Sequence, residues 1–150
     1  MKDFVTITGS GPVVLVDDDQ ADAWLLRRCY ERSKLTNEFV WIGSGVAFIE
    51  YLRGVAAGNS PIPALIMLDL QTAGLDGPHT LKRIESAAHG ARPAILALTS
   101  SLDSASRDKA ERLGADAFRA KPADPAETVD MFNALTDEEK PDPVARRAAH

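Results

Sequence analysis

Asp17, Asp18, Asp69, Thr99 and Lys121 are the residues of this chain whose types and positions could do chemistry together. The acid pair follows one apolar run, Val13-Val14-Leu15-Val16, and Asp69 ends another, Ala64-Leu65-Ile66-Met67-Leu68. Where two such runs are neighbouring strands, three carboxylates share a small pocket, and burial sharpens their repulsion. A hard divalent cation would neutralise them. Mg2+ suits the set because it takes a few carboxylates, several waters and a phosphate oxygen. Lys121 offers a point charge for phosphate, and the Thr99 hydroxyl can donate to a phosphoryl oxygen.

Each of these residues also has an ordinary role. An Asp after a strand is commonly a helix cap, and Asp19 is assigned to that role. A Lys before a proline is commonly a solvated charge, and a Thr at a strand end is a good strand former. What favours the functional reading is coincidence. Acid pair, acid, hydroxyl and lysine follow four separate apolar runs.

Those runs must position the set. Val13–Val16 and 64–68 are short, uninterrupted and apolar, as is Ala94-Ile95-Leu96-Ala97-Leu98, which leads into Thr99. This is the profile of strands buried on both faces. Phe39-Val40-Trp41-Ile42 and Ala117-Phe118-Arg119-Ala120 are weaker strand candidates, closed by Gly43 and Pro122. Helix-period segments lie between them at about 20–33, 44–57, 77–88, 103–113 and 124–135. In the first, Ala21, Leu25, Leu26 and Cys29 are expected to form the apolar face; in the last, Asp124-Pro125 reads as N-cap and first helical residue. Strict alternation, five times over, predicts an α/β fold: a doubly wound five-stranded parallel sheet with five flanking helices and right-handed crossovers. The site of such a sheet lies beyond the carboxyl ends of its strands, where the polar residues converge.

Size and charge narrow the function. The 150 residues suit one domain: a body over 12–136, with an N-terminal extension over 1–11 and an exposed tail or partner-packing arm over 137–150. A net charge of −5 argues against a nucleic-acid binder, since such affinity rests on clustered Lys and Arg. No apolar run approaches the roughly 18 residues of a membrane span, and the N-terminus lacks a signal peptide, so a cytoplasmic location is expected. Cys29, the only cysteine, is read as a small core residue.

Taken in order, Val14-Leu15-Val16-Asp17-Asp18-Asp19, Leu68-Asp69-Leu70-Gln71 through Asp76-Gly77, Leu98-Thr99-Ser100 and Phe118-Arg119-Ala120-Lys121-Pro122 resemble the motifs of two-component response-regulator receiver domains. The resemblance covers roughly residues 12–135 and implies a flavodoxin-like fold. It further implies that Asp69 accepts a phosphoryl group from a histidine kinase. Asp17, Asp18, Asp69 and the backbone carbonyl of Gln71 would hold Mg2+ or Mn2+, Lys121 would contact the phosphate, and Thr99 and Phe118 would form the switch pair. The protein would then be a self-phosphorylating switch rather than an enzyme with a separate substrate. The stretch Asp17 to Asp22, the residues near Gly54–Pro61 and the tail look like the single-domain regulators paired with bacterial phytochrome kinases, some of which are homodimers. About 15 residues follow position 135, fewer than a DNA-binding module needs, so output is expected through protein contacts.

Many receivers carry proline where this chain has Ala73, so a more flexible loop is expected there. Gln71 and Ser101 are candidates for control of phosphate lifetime. Trp24 falls off the first helix's apolar face and is read either as a contact residue or as packed on a neighbour. His79 and His89 are read as helix-surface residues. Two rival functions stand beside the switch: a receiver-like binding module that works without phosphorylation, and a Mg2+-dependent phosphohydrolase of haloacid-dehalogenase type with Asp17 as nucleophile. The latter family expects Thr or Val in place of Ala21.

Overall fold

In the computed structural model, which describes residues 2–90 and 92–136, strands and helices alternate five times. The order is β1 (Val13–Val16), α1 (Gln20–Glu31), β2 (Phe39–Ile42), α2 (Gly45–Ala56), β3 (Leu65–Asp69), α3 (Gly77–Ala87), β4 (Ala94–Thr99), α4 (Ser104–Arg112), β5 (Ala117–Ala120) and α5 (Pro125–Asn133). The strands form one parallel sheet ordered β2-β1-β3-β4-β5. β1 pairs with β2 on one side and β3 on the other, so Val16 lies level with both Ile42 and Leu68. Chain direction across the sheet reverses at β1 and β3, which creates a crevice beyond their carboxyl ends.

Every residue of β1 and β3 is buried, as expected of strands covered on both faces. On one face Val14, Ile66, Ile95 and Ala97 pack with Phe48, Leu52, Ile84 and Leu113, and α2 lies against α3 and α3 against α4. On the other, Leu15, Met67, Leu96 and Leu98 pack with Leu26, Cys29, Met131 and Phe132, beneath α1 and α5. Cys29 is a buried core residue. Each helix begins at a side-chain cap: Asp19, Ser44, Asp76, Asp103 and Asp124 each accept a hydrogen bond from the backbone N–H three residues on. Such caps satisfy amides that the first helical turn leaves unpaired, and they fix where each loop above the sheet ends.

The apolar face of α1 is rotated from the expected one. Ala23, Leu26, Cys29 and Tyr30 are buried, whereas Ala21 is exposed and Leu25 is 40% exposed. The Tyr30 ring sets this rotation. It packs against Phe39 and edge-on to Phe132, and its hydroxyl donates to the Asn37 carbonyl. Trp24 stands 63% exposed, with the Arg28 guanidinium over its ring.

The N-terminal extension is part of the packed body. Val5 and Ile7 are buried in the α1–α5 layer, Ile7 N–H donates to Leu135 O at 2.6 Å, and Lys2 pairs with Ala117 at the edge of β5. The tail or arm expected over 137–150, including His150, lies outside the described residues. Among the described residues, no helix is long and apolar enough to cross a membrane.

Candidate functional site

The loops after β1, β3, β4 and β5 bring the five predicted residues to one end of the sheet. Asp17 follows β1 with its side chain fully buried, and its Oδ1 accepts from the Asp19 N–H at 2.9 Å. Asp69, the last residue of β3, is 3% exposed, and its Oδ1 accepts from the Gln71 N–H at 3.0 Å. Asp18 is exposed at the rim, with the Ala73 N–H 3.4 Å from its Oδ2. One carboxylate oxygen from each of Asp17, Asp18 and Asp69 lies within 4.8 Å of the others. This is the carboxylate pocket expected from the sequence.

Lys121 enters the same pocket from the end of β5. Its Nζ donates to Asp69 Oδ2 at 2.8 Å, Asp22 Oδ2 at 2.9 Å and Asp17 Oδ2 at 3.1 Å. The reach is fixed from the backbone, because the Lys121 N–H donates to Thr99 O. Burial works against the ammonium's charge, yet the hydrogen bonds to Asp69 and Asp22 and the charges of Asp69 and Asp17 outweigh it and hold Lys121 above its ordinary range. Asp17 moves the opposite way in charge. Loss of solvent, reinforced by the neighbouring Asp69 carboxylate, pushes its carboxyl up to about 6 against the lowering effects of the Asp19 N–H and Lys121.

The Lys121 ammonium therefore pairs with three carboxylates, those of Asp17, Asp22 and Asp69, while Asp18 adds a fourth to the group. The excess of negative charge in a partly desolvated pocket is the condition a divalent cation relieves. Three oxygens from different carboxylates, one from an exposed rim residue, form a donor set that fits Mg2+ with room for water. The residues present thus fit the cation.

Thr99 ends β4 fully buried. Its hydroxyl donates to Ser101 O at 2.9 Å, lies 3.4 Å from Ser106 Oγ, and accepts from the Ser101 N–H at 3.2 Å. Phe118, on β5, is 6% exposed and packs in the layer beneath α3 and α4; its N–H donates to Lys2 O at 2.8 Å. The candidate aromatic is already turned into the core.

The loop expected to be flexible at Ala73 is held on both sides. Ala73 O accepts from the Gly45 N–H at 3.3 Å, and Thr72 N–H donates to Asp69 O at 3.0 Å. Gly74 turns the chain with φ +85°. Gly45 lies so close that a Cβ there would stand 2.6 Å from Gly74 C and 2.7 Å from Ala73 O.

Two residues of the site were missed by the sequence reading. Asp22 lies in the first turn of α1, three residues after its cap Asp19, and an acid at that place was the available signal. Trp41 donates from Nε1 to Asp17 O at 2.8 Å, and no local pattern announces this. A cavity of about 180 Å³ lined by Asp22, Leu25, Leu26, Lys121, Pro122 and Thr128 opens beside the site. His79 is exposed at the start of α3; His89 follows the helix, and its Nε2 lies 3.2 Å from Ala56 O.

Comparison with known proteins places this geometry. The family profile described as the response regulator receiver domain matches residues 13–133. A probable methanogenesis regulatory protein, FilR2, of Methanothrix harundinacea is 33% identical over 92 residues, covering 61% of this chain and 59% of that protein. The structure of the response regulator RPA3017 in red light signaling of R. palustris is 26% identical, with a TM-score of 0.68, covering 83% of this chain and 90% of that one. The bacteriophytochrome response regulator RtBRR is 28% identical, with a TM-score of 0.66, covering 93% and 89%. The chain spans about three fifths of the length of the curated relatives it matches.

Proposed function

Because the chain belongs to the response regulator receiver domain family, we propose that it is a two-component switch in which Asp69 accepts a phosphoryl group from a phosphohistidine of a histidine kinase. The observation that carries this reading is the convergence of the Asp17, Asp18 and Asp69 carboxylates within 4.8 Å, with Lys121 Nζ 2.8 Å from Asp69. An oxygen of Asp69 attacks phosphorus, the P–N bond breaks with its electron pair going to nitrogen, and the donor ring, already protonated on its other nitrogen, leaves as neutral imidazole, so an acyl phosphate forms. Such transfer needs mainly positioning and charge neutralisation. Lys121 supplies the first positive charge, already aimed at the acceptor. Asp17, Asp18, Asp69 and the Gln71 carbonyl would hold Mg2+ or Mn2+, which when bound supplies the remaining charge toward the phosphoryl oxygens.

The new phosphate oxygens would compete with Ser101 O for the Thr99 hydroxyl, drawing the β4–α4 loop toward the site. Phe118, two residues before Ala120, which pairs with Thr99, would then settle the surface of α4, β5 and α5. Gln71 and Ser101 flank the acceptor and the hydroxyl and would tune water access. Output would run through protein contacts in the cytoplasm, to a second copy of the chain or another protein, and not through nucleic acid. The similarity to regulators of red light and bacteriophytochrome signalling supports a bacterial phytochrome as the kinase.

Incubation with Mg2+ and acetyl phosphate tests the reading. We expect an intact-mass increase of one phosphoryl group, absent from Asp69→Asn. A wild-type protein that takes neither phosphoryl nor beryllofluoride would be a binding module that works without phosphorylation. An adduct on Asp17 would mark the phosphohydrolase chemistry.

A further inference from the structure

We propose that Asp22 is a positioning residue that keeps the Lys121 ammonium at the mouth of the pocket when Asp17 and Asp69 are engaged by a cation and a phosphoryl group. The inference rests on the phosphoacceptor reading and deepens it. An ammonium has three protons, and here each has a carboxylate: Asp69, Asp22 and Asp17, at 2.8, 2.9 and 3.1 Å. Two of these three belong to the trio whose oxygens converge within 4.8 Å. Asp22 is the one that does not. A cation drawn to Asp17 and Asp69 competes directly with Lys121, and a phosphorylated Asp69 is no longer a carboxylate. Of the three partners, only Asp22 is left unchanged by either event.

Local structure suits it to this role. The Asp22 N–H donates to Asp19 Oδ1 at 3.0 Å, which fixes the first turn of α1. An acid in that turn is favoured by the helix dipole. The side chain is 49% exposed, whereas that of Lys121 is 20% exposed. Asp22 can therefore be neutralised without opening a cavity, and the pair ties α1 to the loop after β5. The competing explanation is that a carboxylate at the rim simply repels incoming anions. The two differ in sign and in their dependence on Lys121.

The experiment is a double-mutant cycle on the full chain with Asp22→Asn, Lys121→Ala and both together, each checked by thermal melting. Beryllofluoride affinity in saturating Mg2+ is the first readout. Positioning predicts that Asp22→Asn weakens the adduct by about two- to fivefold, the range for a partly exposed ion pair, and has no effect once Lys121 is removed. Equal weakening in both backgrounds, or tightening in both, would overturn the proposal in favour of direct charge effects. The second readout is the Lys121 side-chain ammonium resonance with Mg2+ alone. It should persist in wild type and be lost to solvent exchange in Asp22→Asn; persistence in both would also overturn the proposal. This second measurement needs no phosphoryl chemistry, so failure of the phosphoacceptor reading, seen as no beryllofluoride adduct on wild type, is distinguishable from failure of the role given to Asp22.

Discussion

The Thr99 hydroxyl and the Ser101 backbone satisfy each other: the hydroxyl donates to Ser101 O at 2.9 Å and accepts from Ser101 N–H at 3.2 Å. This reciprocal pair closes the turn between β4 and α4, so Thr99 can serve a phosphoryl group only by giving up a loop contact. Phe118, in contrast, is already packed inside. The two members of the candidate switch are thus not in step here, and movement on phosphorylation is expected chiefly in the β4–α4 loop.

Thr99→Ala should retain the beryllofluoride adduct while losing the amide shifts that the adduct produces at Ser100 to Ser106. It should also cost about 1 kcal/mol of stability, typical of one net hydrogen bond. Two-dimensional NMR with urea unfolding measures both. If the loop shifts as fully in Thr99→Ala as in wild type, Thr99 is not the sensor.

Gly45→Ala should act on the carboxylate pocket from a different helix. Its Cβ would meet the backbone of Gly74 at 2.6 Å and Ala73 O at 2.7 Å, so the loop after Asp69 must move. Ala73 N–H lies 3.4 Å from Asp18, and a displaced loop should weaken Mg2+ binding. Gly43→Ala is the control, since its Cβ would meet the Trp41 ring at an ordinary 3.6 Å. A stability loss on the order of 1–3 kcal/mol, as for overpacking of a tight contact, is expected for Gly45→Ala. Equal Mg2+ affinity in the two variants would remove the link between α2 and the site.

Much of this was legible in the sequence, for physical reasons. Val13–Val16, apolar and mostly β-branched, and the uninterrupted apolar run that leads into Asp69 have the profile of strands covered on both faces. Asp19 and Asp124 announced helix starts because a short acceptor side chain pairs the free amides of a first turn. The convergence of Asp17, Asp18 and Asp69 followed once two such strands were adjacent. What stayed hidden depends on rotations and close approaches that leave no local trace. Asp22 meets Lys121, 99 residues away, on a helix whose buried face carries Tyr30 in place of Ala21, and an aromatic with a hydroxyl is a poor guide to that face. Nor does any local pattern announce that Gly45, on another helix, bonds to Ala73 O in the loop that lacks the proline. The stretch before Gly11 read as an extension because Val5 and Ile7 pack from an irregular segment, and two apolar residues carry no periodic pattern.

Removal of residues 2–4 should loosen the edge of β5. Phe118 N–H donates to Lys2 O at 2.8 Å, so its amide should exchange faster with solvent, while amides within β4 should not. Val5→Ala or Ile7→Ala, in the buried part of the same segment, should each cost about 1–3 kcal/mol, the lower range for apolar side chains trimmed from a core. Hydrogen exchange and urea unfolding report the two effects. Unchanged Phe118 exchange in the truncated chain would show that the segment does not guard that edge.

Trp41 should report cation binding optically. Its indole N–H donates to Asp17 O at 2.8 Å, so a change at Asp17 alters the polarity felt by the ring, while Trp24 lies 63% exposed on the far side of α1's buried face. Titration with Mg2+ should change the emission of wild type and of Trp24→Phe alike, and Trp41→Phe should abolish the response. A response carried by Trp24 instead would place the cation elsewhere.

Stability in cation-free buffer should rise as pH falls from 7 toward 5 as far as Asp17 contributes. Burial, with Asp69 beside it, lifts the carboxyl from 3.8 to about 6 in the folded state. The folded state therefore binds a proton that the unfolded chain does not between those values. The penalty for ionised Asp17 is complete above about pH 6 and is relieved as pH drops through 6 toward 4. Asp17→Asn should accordingly be more stable than wild type at pH 7, by on the order of 1–3 kcal/mol, with the gain shrinking below pH 5. Saturating Mg2+ should reverse the ranking, because only the wild type keeps all three carboxylates, and a ligand stabilises the state it binds. Thermal melts at several pH values, with and without Mg2+, measure each part. A wild type that gains no more than Asp17→Asn from Mg2+ would remove Asp17 from the cation site and leave its burial without a functional reason.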